Sequence, residues 1–258
     1  VGAETEDGQT MTARVVVSGA HIHTTARMLG DALPAKARDL IDKARIGNGF
    51  GIMVRYAVND LPGYTALPTR PGVTNDQHVA MQFVCPTLEY LDNAYADFLR
   101  GEISRDPALI AMTWSASDPS LAPQGKHVLF IWGQYYPYKL ASGENWDDIA
   151  QREADRMLAT LGKYAPNVTE PGFVIGQLNE TPLYLERELG LLQGNVMHLE
   201  MSVDQMFMLR PALSMGTYRA PVKGLYLTGA STHPGGGIMG AAGRNAAAVV
   251  LHDLTRGK

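Results

Sequence analysis

The sequence predicts a chain of mixed α/β and α+β class, and three observations carry that prediction. Strands and helices interleave along the 258 residues, yet most spacings are too irregular for a regular βαβ series, so the middle reads as α+β. The segment Gly224–Leu254 reads instead as one short strand, a glycine-rich turn and a slender helix, the building unit of parallel sheets. A composition of 45% hydrophobic and 19% charged residues can bury a sizeable core.

The elements follow in order. Thr5-Glu6-Asp7-Gly8-Gln9-Thr10 is a polar turn of the kind that joins two strands, and so near Val1 it suggests that the chain opens in the middle of a domain. Arg14–Ser18 is a β-branched run that predicts a buried strand ending at Gly19-Ala20. Leu33, Ala37, Leu40, Ile41 and Ala44 recur at helical spacing behind Asp31 as a cap. Gly49–Val58 alternates as a strand, residues 59–78 read as a loop, and Val79–Val84 is a second strand. A helix starts at Pro86-Thr87, with Leu88, Leu91, Tyr95 and Phe98 on one face and Gly101 as its stop. The strongest strand is His127–Tyr136. Trp146–Leu161 is an amphipathic helix, Gly172–Leu178 a strand, and Thr181-Pro182 opens a short helix through Leu189.

A net charge of −4, without a Lys/Arg stripe, argues against nucleic acid as a partner. No apolar run reaches the roughly 18 residues of a membrane span, and the start does not read as a secretory signal. Cys85 is the one cysteine, so an internal disulfide is impossible and a reducing, cytoplasmic setting is expected, or the mitochondrial matrix in a eukaryote. In Phe83-Val84-Cys85-Pro86 it reads as the buried end of a strand rather than a nucleophile.

The chemistry lies in Gly224–Leu254. Leu225–Thr228 is a short buried strand that runs through Gly229-Ala230-Ser231-Thr232-His233-Pro234 into Gly235-Gly236-Gly237, with a helix from about Ile238. Successive glycines let backbone approach a ligand closely, and the first helical N–H groups, with the helix dipole, favour negative charge beyond the helix start. Gly240, Ala241, Ala242, Gly243, Ala246 and Ala247 keep the helix thin enough to lie near a sheet or a flat ring. Gly235, Gly237 and Gly240 formally satisfy the dinucleotide fingerprint, but no second parallel strand with an acidic residue follows, and Asp253 sits at a helix end. The unit is therefore expected to close a sheet whose other strands come from elsewhere. Gly47-Asn48-Gly49-Phe50-Gly51 precedes a strand and reads as a bend.

These residues give the chain a specific resemblance. Leu225–Ala248 resembles the terminal motif of phytoene-desaturase-like FAD oxidoreductases, and within them the pyridine nucleotide-disulphide oxidoreductase domain-containing protein 2 subgroup, where strand, T-H-P-G-G-G turn and G-x-x-G-R-N-A-A helix recur in this order. Pro86–Leu91, Asp118–His127, Asp204–Phe207 and Arg210-Pro211 extend the resemblance over nearly the whole chain. It implies a Rossmann-type FAD-binding domain interrupted by a substrate-binding domain of mixed sheet plus helices. Residues 1–20 would be the returning strand of the FAD-binding domain, 21–220 the substrate-binding domain, and 221–258 the closing strand and helix. The N-terminal half, with the nucleotide-binding glycine loop, would be supplied by the same polypeptide or a separate subunit. FAD is the implied cofactor, held by Gly229, Ala230, His233, Pro234, Gly235, Gly236, Gly237, Ile238 and Met239, with the Gly235–Met239 backbone facing the pyrimidine edge of the flavin.

Individual residues leave alternatives open. His233 either touches flavin or substrate, or hydrogen-bonds the turn. Arg244 and Asn245 contact the cofactor or the missing domain, or cap neighbouring carbonyls. His198 and Glu200 alternate along an expected strand and read as a buried hydrogen-bonded pair rather than a metal site, for want of a third ligand. Trp132, Tyr135, Tyr136 and Tyr138, with Met197, Met201, Met206 and Met208, could line an apolar cavity, although core filling is the favoured reading. No catalytic acid, base or metal set stands out.

Two functions follow. One is an FAD-dependent oxidoreductase that takes hydride at flavin N5 from an apolar substrate, for example an isoprenoid-like one. The other is a non-catalytic binding or assembly module, or a fragment, that needs a partner chain carrying the nucleotide-binding half.

Overall fold

The computed structural model describes residues 2–66 and 76–257. In chain order the elements are β1 (Gly2–Glu4), β2 (Thr10–Thr12), β3 (Val16–Ser18), α1 (Ile22–Leu29), α2 (Ala35–Asp42), β4 (Gly49–Val58), α3 (Asp76–Val79), β5 (Gln82–Val84) and α4 (Leu88–Leu99). There follow β6 (Leu109–Met112), β7 (His127–Pro137), α5 (Trp146–Gly162), β8 (Val174–Glu180), α6 (Pro182–Leu189), β9 (Leu225–Leu227) and α7 (Ala241–Thr255). The class is mixed, with helices and both parallel and antiparallel strand pairs. Part of the loop read over 59–78 lies outside the described residues, and its end is α3.

The chain divides into two compact units, one of residues 48–189 and the other of residues 1–47 and 190–258. Residues 21–47 and 190–220, grouped with the substrate-binding segment in the sequence, therefore share a unit with the two ends of the chain.

The 48–189 unit is built on a five-stranded antiparallel sheet in the order β5-β6-β7-β4-β8. Alternation in β4 sends Ile52, Val54, Tyr56 and Val58 to one face, where Leu129, Ile131 and the α5 residues Ala154, Met157 and Leu161 join them. Each fully buried aliphatic side chain contributes about 1.5–3 kcal/mol. Asn145 and Thr87 cap α5 and α4 by accepting from Asp147 N and Tyr90 N. The expected apolar stripe of α4 is less buried than its spacing suggests. Leu88 is 81% exposed, and only Ala94 is buried.

In the other unit, β1 and β2 form an antiparallel hairpin across the Thr5–Gln9 turn, and β3 pairs in parallel with β9. The β3 strand is shorter than expected and is not buried. Val17 is 48% exposed because β9 is its only strand neighbour among the described residues. In β9, Leu225, Tyr226 and Leu227 are all buried, as expected. The helix read over 33–44 is α2, entered through Pro34 rather than capped by Asp31, and α1 precedes it unforeseen. Ile22, Ala26, Leu33, Ala37 and Ile41 pack with Leu199, Ala212, Met215 and Leu227 into this unit's core.

Candidate functional site

The site is built where β3 and β9 end side by side. Thr228 N donates to Ser18 O at 2.8 Å, and Gly229 turns at φ 77° so close to the first strand that a Cβ there would lie 2.9 Å from Gly19 O. Thr232 folds back with its N–H and hydroxyl on Gly229 O. The Ser231 hydroxyl accepts from Ile22 N at 2.9 Å, which caps the start of α1, and meets His198 Nδ1 at 2.9 Å. The carbonyl of Ala230 turns inward and accepts from Arg210 Nε and Nη2 at 3.2 and 2.9 Å.

Beyond Pro234 the turn lies on methionines. A Cβ on Gly235 would come within 3.0 Å of Met201 Sδ, and one on Gly236 within 2.7 Å of Met197 Sδ. Gly237, Ile238 and Met239 then stand exposed. The helix expected from Ile238 begins at Ala241, because Ile238 at φ 55° and Gly240 at φ 68° are left-handed and cannot extend it. From Gly236 to Gly243, eight consecutive backbone N–H groups have no acceptor among the described residues. Four would be the ordinary orphans of a helix start. The left-handed residues double the number.

His233 is half-buried, and its ring makes no hydrogen bond to the turn. Its Nδ1 is buried without a partner among the described residues, and the ring packs 5.3 Å from Phe207. The residue braces the turn through its carbonyl, which accepts from Tyr218 Oη at 2.9 Å, while Asn245 Nδ2 donates to that hydroxyl at 2.8 Å. Asn245 thus acts on a tyrosine rather than capping a carbonyl.

The His198–Glu200 pair does not form, because Gly194–Ser202 is irregular and His198 at φ 63° breaks the alternation on which it rested. Glu200 turns to Arg45, 2.7 Å away, whereas buried His198 turns to Ser231. His21, unremarked in the sequence, stacks on His198 at 4.9 Å and contacts its carbonyl through Nε2 at 2.9 Å. Burial lowers both rings from 6.5 to about 4, and nearby Arg210 adds to the effect, so both are neutral at neutral pH. Their sign in the sequence was faint: a histidine just after a strand, and another three residues beyond an asparagine turn.

No family model matches the chain. It is 41% identical over 204 residues to rat pyridine nucleotide-disulfide oxidoreductase domain-containing protein 2, covering 78% of this chain and 35% of that protein. To the mouse protein of the same name it is 36% identical over 262 residues, covering 98% and 44%. The chain is a sequence relative of these proteins. It spans less than half of their length. A phytoene desaturase (neurosporene-forming) of Rhodobacter capsulatus is 27% identical over 92% of this chain and 42% of its own. A solved oxidoreductase from Methanosarcina mazei superposes with a TM-score of 0.48 at 16% identity, over 99% of this chain and 45% of that one.

For a relative of the domain-containing protein 2 group, the remaining sequence candidates sort plainly. Tyr136 is core, while Trp132 lies on the opposite sheet face, paired with Met53 and Ile110, and Tyr135 packs on Tyr95 and Phe98. Met197 and Met201 underlie the glycine turn in the other unit. Cys85 is half-buried, with its thiol on Thr87 O. Among the described residues no His, Cys, Asp and Glu cluster could hold a metal ion, and no helix is long and apolar enough to cross a membrane. The turn fits a flavin ring on two observations: bare amides that can donate to its electron-rich edge, and the unpartnered His233 Nδ1.

Proposed function

We propose that this chain is the flavin-facing part of an FAD-dependent oxidoreductase acting on an apolar substrate, completed by a nucleotide-binding half on the same polypeptide or a separate subunit. FAD, when bound, supplies the hydride-accepting chemistry at N5. The residues of this chain supply orientation and charge. Amides from Gly236 onward donate to an electron-rich edge, Gly229 and Ala230 set the approach, and Tyr218 and Asn245 hold the turn from below. The observation that carries this reading is the unbroken run of bare amides from Gly236 to Gly243. The relatives by sequence support the oxidoreductase class.

The test uses the protein together with its nucleotide-binding half, loaded with FAD and freed of excess, with bound flavin read by visible absorption. Ile238→Asp places a carboxylate on a fully exposed side chain, so the fold should persist while FAD affinity falls about tenfold, the ~1.4 kcal/mol effect of one like charge. A protein that retains no flavin, or an Ile238→Asp variant that binds as well as the parent, would overturn the reading.

A second reading, an assembly module, is favoured by one observation. The β3 edge carries the half-exposed Val17 and has no further strand beyond it among the described residues. A stable, monodisperse monomer on light scattering would count against it.

A further inference from the structure

Arg210 has the largest fully buried side chain of the described residues, with 0% exposure. Its environment is unlike that of every other buried charge there. Glu153 is paired with Arg152 and Arg156, Glu180 with Arg55, and Asp253 with Arg219. Arg210 has no carboxylate. Its guanidinium donates only to carbonyls, those of Met197, Leu199, Glu200, Gln205 and Ala230, at 2.5–3.4 Å.

A buried charge left without a counterion is costly, and carbonyl dipoles offset only part of that cost. Its titratable neighbours do not neutralise it. His21 and His198 are held neutral, and the Glu200 carboxylate is engaged by Arg45. Burial lowers Arg210 to about 10, so it remains a cation at neutral pH. The charge sits directly under the glycine turn, where a Cβ on Gly235 would lie 3.7 Å from Nε. Bracing alone could be met by neutral amides, so the charge calls for a separate explanation.

We propose that Arg210 is a positioning residue whose uncompensated charge acts through the Ala230–Gly236 turn to favour a negatively charged ligand there. Resting on the function proposed above, that ligand is the reduced flavin ring held as its anion. Reduction would then take up two electrons and one proton, rather than two protons.

The experiment measures the midpoint potential of the FAD-loaded protein, completed by its nucleotide-binding half, against reference dyes as a function of pH. In the parent, the potential should fall about 30 mV per pH unit near neutrality, the slope for one proton per two electrons. Arg210→Met should weaken binding of reduced relative to oxidised flavin at least tenfold, a shift of about 30 mV to more negative potential. Arg210→Lys, which keeps the charge and loses most of the bracing, should stay near the parental potential while unfolding more easily. A parental slope near 59 mV per pH unit, an unshifted Arg210→Met, or a Lys variant shifted as far as Met would each overturn the proposal. If Arg210→Met does not fold, the slope and the Lys variant decide. Failure of the parent to hold FAD at all would instead sink the underlying function.

Discussion

His198 Nδ1 and the Ser231 hydroxyl lie 2.9 Å apart in the core of their unit, and that contact ties the irregular 194–202 segment to the turn that follows β9. Ser231 also accepts from Ile22 N, so one hydroxyl joins three stretches of chain. With Nδ1 of His198 accepting, the serine donates once and accepts once, and all three groups are satisfied.

Ser231→Ala removes both contacts and leaves a buried imidazole nitrogen and the first amide of α1 without partners. The expected loss is about 1–3 kcal/mol of unfolding free energy, the cost of unsatisfied buried polar groups. Urea denaturation measures it, and a midpoint unchanged from the parent would show that the hydroxyl does not hold the turn.

The stacked rings of His21 and His198 give the protein an acid limit. His21 and His198 are at about 4 when folded and near 6.5 when free, so the unfolded chain binds more protons between those values. Stability is therefore complete above pH 6.5, falls as the pH drops towards 4, and levels off below it as far as these two rings are concerned. At ~1.4 kcal/mol per unit, each ring accounts for up to about 3 kcal/mol. His198→Gln should flatten the slope of unfolding free energy against pH in that window, and a variant with the parental slope would exclude His198 as a source.

Tyr136 offers a test in the other unit. Its hydroxyl is buried with no partner among the described residues, and burial pushes its ionisation well above the usual phenol range. Tyr136→Phe deletes an unsatisfied polar atom without opening a cavity, so thermal unfolding should show equal stability or a gain of about 1 kcal/mol. A clear loss would reveal a partner for the hydroxyl.

What the sequence disclosed follows from where the physics is local. The strand Gly49–Val58 and the helix 146–162 were legible to within a residue, because alternation from Ile52 onward and a 3.6-residue period each bury one face. The glycine turn and β9 were legible because few residues besides glycine accept such backbone. Hidden were the features set by long-range contact: the left-handed Ile238 that delays α7, the turn at His198, and the bonds of Arg210, which reach from Met197 to Ala230. No periodicity encodes a guanidinium that gathers carbonyls from three segments. The exposed face of α4 misled for a related reason, since an apolar stripe shows only that a face can be buried.

Tyr218 provides the sharpest separation of turn geometry from fold. Its hydroxyl donates to His233 O and accepts from Asn245 Nδ2, linking the base of the turn to the first turns of α7. Tyr218→Phe strands both groups, whereas Asn245→Ala removes only the outer one, and Asn245 is itself exposed. The phenylalanine variant should lose about 1–2 kcal/mol and the alanine variant less than about 1, since an exposed amide can turn to water. If the turn grips FAD as proposed, Tyr218→Phe should also shed flavin faster during gel filtration, and Asn245→Ala should lie between it and the parent. Equal retention across all three proteins, alongside the expected stability losses, would mean that the turn is held by Tyr218 but does not hold the cofactor.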